Sequence, residues 1–249
     1  MFRVERWDPL LDAIFLLHRF GKNGNIECSP SMLSIIVPHH YLELTVAFQM
    51  MPQFFNHFFS KNTHCSKIFL QPLYSTLKRM HESQFSTISL FLLKRLDRLL
   101  IQFSSPRNKL TLIRKFGIMR TVNVEFGNID FGTFVSIDAQ QFRHVVTEFH
   151  DYFVSIIPTT SHVLFSIEVK EIVFEREQGE CIIGGIRQGV NTEFHFPIYP
   201  SHIFYNITFQ SERVWFFKTT DGRGTLIVAP VGLFAQFVIY FPLGGSVKM

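Results

Sequence analysis

Residues 8–50, DPLLDAIFLLHRFGKNGNIECSPSMLSIIVPHHYLELTVAFQM, set a pattern that the rest of the chain repeats. Asp8-Pro9 reads as a helix start. Asp is the N-cap, and Pro takes the first helical position, where its missing N–H leaves nothing unpaired. The run 10–20 is apolar except at Asp12, His18 and Arg19. Gly21 stops the helix, and Asn23-Gly24 reads as a turn. Strand-like segments follow at 25–28, 33–37 and 42–50, separated by Ser-Pro and by Pro-His-His. The pair His39-His40 reads as part of a loop rather than as a metal site.

Working outward, 72–81 reads as a second helix. Leu73, Leu77 and Met80 fall on one face and Ser75, Lys78, Arg79 and Glu82 on another. Strands are predicted at 86–93, 99–104, 110–114 and 119–126. The second half starts the same way. Asp138 and Gln141 form a capping pair, and Phe142, Val145, Val146 and Phe149 give an amphipathic stripe. Strands are expected at 152–158, 162–168 and 171–177, then a Gly-rich connection (Gly179, Gly184, Gly185, Gly189). The segment 201–210 is too β-branched and aromatic for propensity to predict a helix. Strands follow at 213–219, 225–231 and 234–241. The same order of elements in 1–128 and 129–249 predicts two topologically repeated domains of an α+β fold, without a residue-by-residue repeat.

Composition bounds the function. With 249 residues, 47% hydrophobic and 18% charged, the chain is globular, and its length fits one large domain or two. The 30 phenylalanines suggest biased codon usage first and large interfaces second. No apolar run reaches the roughly 20 residues of a membrane span, and the first residues do not form a secretory signal. A soluble intracellular protein with no membrane partner is expected. Cys28, Cys65 and Cys181 are odd in number and far apart, so they predict neither disulfides nor a C-x-x-C metal knuckle. Acidic residues are scattered, without H-x-E, D-x-E or D-x-D patterns. GECIIGGIRQG at 179–189 lacks both the G-x-G-x-x-G order and a Lys-Ser/Thr pair. No catalytic residue, metal or cofactor is therefore expected. Charge is polarised: residues 67–120 carry eleven basic and two acidic side chains, and 121–212 carry four and twelve. The basic block suits a polyanion. Alternatively, oppositely charged regions of neighbouring subunits attract each other.

Four segments carry a family resemblance. LLDAIFLLHRFGKNGNIECSPSMLSIIVPHHYLELTVAFQMMPQFFNHF at 10–58 includes the exit Arg19-Phe20-Gly21 and the closing Pro52 to Phe55. KIFLQPLYSTLKRM lies at 67–80. NKLTLIRKFGIMRTVNVEF at 108–126 is built around Lys-Phe-Gly at 115–117. RVWFFKTTDGRGTLIVAPV lies at 213–231. In this order they resemble the Rad-nine subunit family of the nine-one-one checkpoint clamp, within the DNA sliding-clamp fold of proliferating cell nuclear antigen.

The resemblance implies a non-catalytic ring subunit acting in DNA damage checkpoint signalling and repair in the nucleus. Helices line a channel around non-specifically bound double-stranded DNA, and antiparallel sheets lie outside. The implied partners are Rad-one-like and Hus-one-like subunits and a clamp loader. Channel candidates are Arg19, Lys22, Lys67, Lys78, Arg79, Arg143, His144 and His150. Subunit edges are expected at 119–126 (Met119, Thr121, Asn123, Glu125) and at 171–177 (Glu171, Val173, Glu175). The chain departs from the family in three expected ways: a clipped first strand, a short connector near 127–133, and no long Ser-rich phosphorylated tail. Three other readings stand beside this one: a homotrimeric replication clamp, a metal-dependent exonuclease, and an interaction module that never touches DNA.

Overall fold

The computed structural model describes residues 1–39, 41–105, 109–150, 152–186 and 192–242. His40 and Gly189, named above, lie outside the described residues. By internal contacts the chain forms two compact units. One is built on Met1–His39 and Val46–Val124 with Leu233–Gln236, and the other mainly on Glu125–Gly232 with the chain from Phe237.

In the first unit the order is β1 (Phe2–Glu5), α1 (Asp8–Phe20), β2 (Asn23–Cys28), β3 (Leu33–His39), β4 (Leu44–Met50), β5 (His57–Phe58) and β6 (His64–Phe69). It continues with α2 (Leu70–Glu82), β7 (Thr87–Leu93), β8 (Arg98–Ser105), β9 (Leu110–Gly117) and β10 (Met119–Arg120). Two layers of strands run in the orders β5-β1-β7-β8-β9 and β10-β6-β2-β3-β4. The stripes of α1 (Leu10, Ala13, Ile14, Leu17) and α2 (Leu73, Leu77, Met80) are buried. Between Leu10, Ile14, Leu77, Ile26 and Ile101 a cavity of about 30 Å³ remains, lined wholly by apolar side chains. That volume is too small for an organic ligand and too apolar for water.

Local chemistry explains where these elements depart from expectation. Trp7, not Asp8, occupies the N-cap of α1. Asp8 instead accepts a 2.8 Å hydrogen bond from His81 Nε2. The pair joins the start of α1 to the last turn of α2. Gly21 stops α1 in extended backbone, with its N–H on Leu17 O. A Cβ there would lie 2.5 Å from Val37 Cγ1, so packing demands the glycine. Asn23-Gly24 opens β2 instead of turning. β1 lies between β5 and β7, with Phe2 against Phe58 at 4.9 Å. β6, unpredicted, pairs with β2.

The second unit holds β11 (Ile129–Asp138), α3 (Ala139–Glu148), β12 (Phe153–Pro158), β13 (His162–Ile167), β14 (Lys170–Glu175), β15 (Cys181–Gly184) and β16 (Phe194–Pro197). α4 (Ser201–Ile207), β17 (Arg213–Thr219), β18 (Thr225–Val231) and β19 (Ala235–Phe241) follow. Its strand orders are β14-β13-β12-β16 and β19-β18-β17-β11-β15. β11, β15 and β16 lack a clear alternating signal and were not expected. The capping box at Asp138 and Gln141 forms as predicted, and Phe142, Val145, Val146 and Phe149 are buried.

Residues 201–207 are helical despite their composition, because Ile203, Phe204 and Ile207 all reach the core. Tertiary burial outweighs the small propensity differences. That core accounts for much of the phenylalanine excess. Phe142 meets Phe216 at 5.4 Å, Phe216 meets Phe196 at 5.7 Å, and Phe204 stacks on Phe241 at 6.2 Å. Among the described residues no helix is long and apolar enough to cross a membrane.

Phe216→Ala is expected to lower stability by about 3–5 kcal/mol, and Asp138→Ala by about 1 kcal/mol, in urea denaturation followed by circular dichroism. Equal effects would contradict the aromatic core.

Candidate functional site

Each unit presents a packed helix pair and an open sheet edge. Across α1 and α2, His18 and Tyr74 stack at 4.3 Å and Phe15 meets Tyr74 at 5.5 Å. Arg19 lies over the Phe15 ring at 5.4 Å. Lys22 is exposed just beyond α1, and Lys78 and Arg79 are exposed on α2, with Lys78 3.9 Å from Glu82. Lys67 sits in β6, opposite Asn25 and Met119, not in a helix. In the second unit Arg143 bonds Thr208, His144 is 3.9 Å from Glu148, and His150 Nδ1 is 3.0 Å from Thr147 O. Burial, reinforced by the neighbouring Asp8 carboxylate, pushes the Asp12 carboxyl up.

The four helices together carry four Lys or Arg (Arg19, Lys78, Arg79, Arg143) and four Asp or Glu (Asp8, Asp12, Glu82, Glu148). They are therefore electrically balanced. The basic block lies mostly elsewhere: Arg95, Arg98, Lys109, Arg114, Lys115 and Arg120 fall on β8, β9, β10 and their connections. Charge counted along the chain missed this, because it does not separate helix from sheet.

β9 and β14 each end a sheet among the described residues, as β5, β10, β15 and β16 also do, and their opposite charge sets them apart. β9 exposes Leu110 and Ile113 and carries Arg114 and Lys115 without an acid. β14 exposes Val173 and carries Glu171 and Glu175 beside Lys170. β10, which carries Met119, ends the other strand layer of the first unit, so β9 is a second and longer edge beside the expected one. Met119 belongs to the two-residue β10, and Thr121, Asn123 and Glu125 lie in an irregular connector between β10 and β11. Side chains, not a ladder, hold that connector. Glu27 Oε1 accepts from Val124 N at 2.7 Å, and Cys65 Sγ donates to Val122 O at 3.4 Å.

No protein-family model and no curated protein matches the chain. Among solved structures it is similar to the PCNA2–PCNA3 complex from Sulfolobus tokodaii, with a TM-score of 0.71 and 11% identity over 97% of this chain and 98% of that one. The chain has the sliding-clamp fold. The α+β expectation, with two helix-bearing repeats and antiparallel sheets, holds over nearly the whole length.

Within this clamp fold the described residues contain no group of three or more His, Cys, Asp or Glu disposed to hold a metal ion. One row does imitate a catalytic relay. Ser155 Oγ is 3.0 Å from His195 Nδ1, and His195 Nε2 is 3.5 Å from Glu193. Ser155 lies within β12 between β13 and β16, where sheet pairing engages the N–H groups that an oxyanion hole would need.

Burial first, then the Glu27 carboxylate, pushes the Cys65 thiol up to about 12 from its ordinary 9.0. The native thiol keeps its proton where the unfolded chain has lost it. Stability therefore falls as pH rises from 9.0 to about 12, and below 9.0 the effect vanishes. Glu27→Ala is expected to narrow this window, speed Cys65 labelling by a thiol reagent at alkaline pH, and raise hydrogen exchange at Val124. Unchanged exchange would remove Glu27 as the anchor.

Proposed function

We propose that the chain is a non-catalytic subunit of a ring clamp that encircles double-stranded DNA and acts in DNA damage checkpoint signalling and repair in the nucleus. The observation that carries this reading is the sliding-clamp fold over 97% of the chain. The open edges of opposite charge, β9 and β14, fit head-to-tail pairing with neighbours, the heterologous arrangement that closes rings. The resemblance of 10–58, 67–80, 108–126 and 213–231 to the Rad-nine family supports the checkpoint role. It also supports Rad-one-like and Hus-one-like partners and a loader. The solved neighbour, a complex of two different PCNA chains, supports assembly from non-identical subunits.

The balanced charge of the helices suits a clamp. Topology retains the DNA, so Arg19, Lys78, Arg79 and Arg143 need supply only weak, sequence-independent phosphate contacts, and weak contacts permit sliding. Lys22, Lys67, His144 and His150 remain candidates at the margins of these faces.

A homotrimeric clamp is the second reading, favoured by one observation: basic β9 and acidic β14 belong to the same chain, so copies complement one another. Light scattering of the purified chain separates the two. A monomer that forms a ring only with two different clamp subunits supports the checkpoint clamp; a stable trimer alone supports the homotrimer.

Two charge-reversal variants test the surfaces. Arg114→Glu with Lys115→Glu is expected to weaken assembly about tenfold or more. Lys78→Glu with Arg79→Glu is expected to preserve assembly but reduce DNA loading; unaltered loading would sink the channel assignment. Metal-dependent nuclease activity abolished by mutating a carboxylate pair would overturn the non-catalytic reading.

A further inference from the structure

The outward face of the α3–α4 pair is aromatic where phosphate contacts alone would call for lysines. Tyr205 and Phe209, four residues apart, are 41% and 59% exposed, and their rings meet edge to face at 5.3 Å. Neither serves the core, which takes Ile203, Phe204 and Ile207 from the same segment. Arg143 reaches over from α3, its guanidinium carbon 4.0 Å from the Phe209 ring centroid. The same guanidinium donates to Thr208 Oγ1 at 3.1 Å and to Thr208 O at 3.5 Å, and Thr208 Oγ1 donates to Tyr205 O at 2.6 Å. Thr208 is 1% exposed, so two rings and a cation are tied to a buried anchor before any ligand arrives.

Exposed rings beside a fixed guanidinium can stack on nucleobases, and stacking accepts any base. A B-form duplex keeps its base faces inside, so these rings have nothing to stack on there; unpaired bases present theirs. Charge selects the same ligand over an apolar peptide. Arg143 lies on α3, whose one acidic residue, Glu148, pairs with Lys170 and lies 3.9 Å from His144.

We infer that the α3–α4 face binds single-stranded DNA, with bases stacking on Tyr205 and Phe209 and Arg143 adding its charge. This rests on the reading that these helices face DNA, and it narrows that reading to clamps at junctions where single strand adjoins duplex.

The test is fluorescence anisotropy of labelled oligothymidine, and of a duplex of equal length, with the full chain and with the assembled ring. Tyr205→Ala and Phe209→Ala are each expected to weaken oligothymidine binding about tenfold, while Phe209→Trp retains it. The salt dependence is expected to stay that of the parent, because stacking releases no counterions. Duplex loading is expected to be unchanged in these variants and reduced in Lys78→Glu/Arg79→Glu.

Oligothymidine binding unaltered in both alanine variants overturns the inference while leaving the clamp intact. Loss of partner-subunit capture with unaltered oligothymidine binding overturns it too, and assigns the rings to a protein partner. Failure of the unmodified ring to hold either DNA overturns the clamp reading itself, recognisable because the charge-reversal variant then changes nothing.

Discussion

Each unit depends on one constraint: a helix pair must hide its apolar stripe between or against sheets that cannot otherwise exclude water. Leu73, Leu77 and Met80 meet it in the first unit, and Phe142, Val145 and Val146 in the second. Burying one side of a helix determines what its other side can be used for. With the core satisfied, residues such as Lys78, Arg79 and Tyr205 are released from packing and available to a ligand. The two repeats meet the constraint differently. The first uses aliphatic side chains and leaves a small dry void, while the second interlocks phenylalanine rings around Phe216.

Electrostatics then separates two surfaces that look alike along the chain. The helices balance four positive charges with four negative, whereas the strands around β9 keep a surplus of arginine and lysine. Weak attraction where a polyanion would pass and stronger attraction where a neighbour would dock suit an assembly held by its own closure. Local pairs fit the same division: Asp8 with His81 and Glu148 with Lys170 use up charge on the helices.

Much of the fold was legible where periodicity was strong. The α2 and α3 stripes, the Asp138 capping box and the strands Arg213–Thr219 and Thr225–Val231 follow from spacing alone. What was not legible depended on distant partners. β6 and β11 become strands because other strands pair with them, and residues 201–207 become helical because Phe204 has an aromatic nest to enter. The expected strand at 119–126 is cut to Met119–Arg120 for a similar reason: the Glu27 carboxylate, far away in sequence, takes the Val124 N–H that a longer ladder would have used. Of the site, the charged candidates could be named from sequence. Arg143 over Phe209 could not, because only the meeting of α3 and α4 creates it.

The open strand β9 has a practical cost as well. Among the described residues the eight-residue β9 pairs with a strand on one side alone, and with exposed Leu110 and Ile113 it forms a template for another strand. Arg114 and Lys115 act there as gatekeepers, repelling a second copy of the same edge while leaving it attractive to an acidic one. Its charge discourages self-stacking during synthesis, and in the proposed ring a neighbouring subunit would supply the lasting cover.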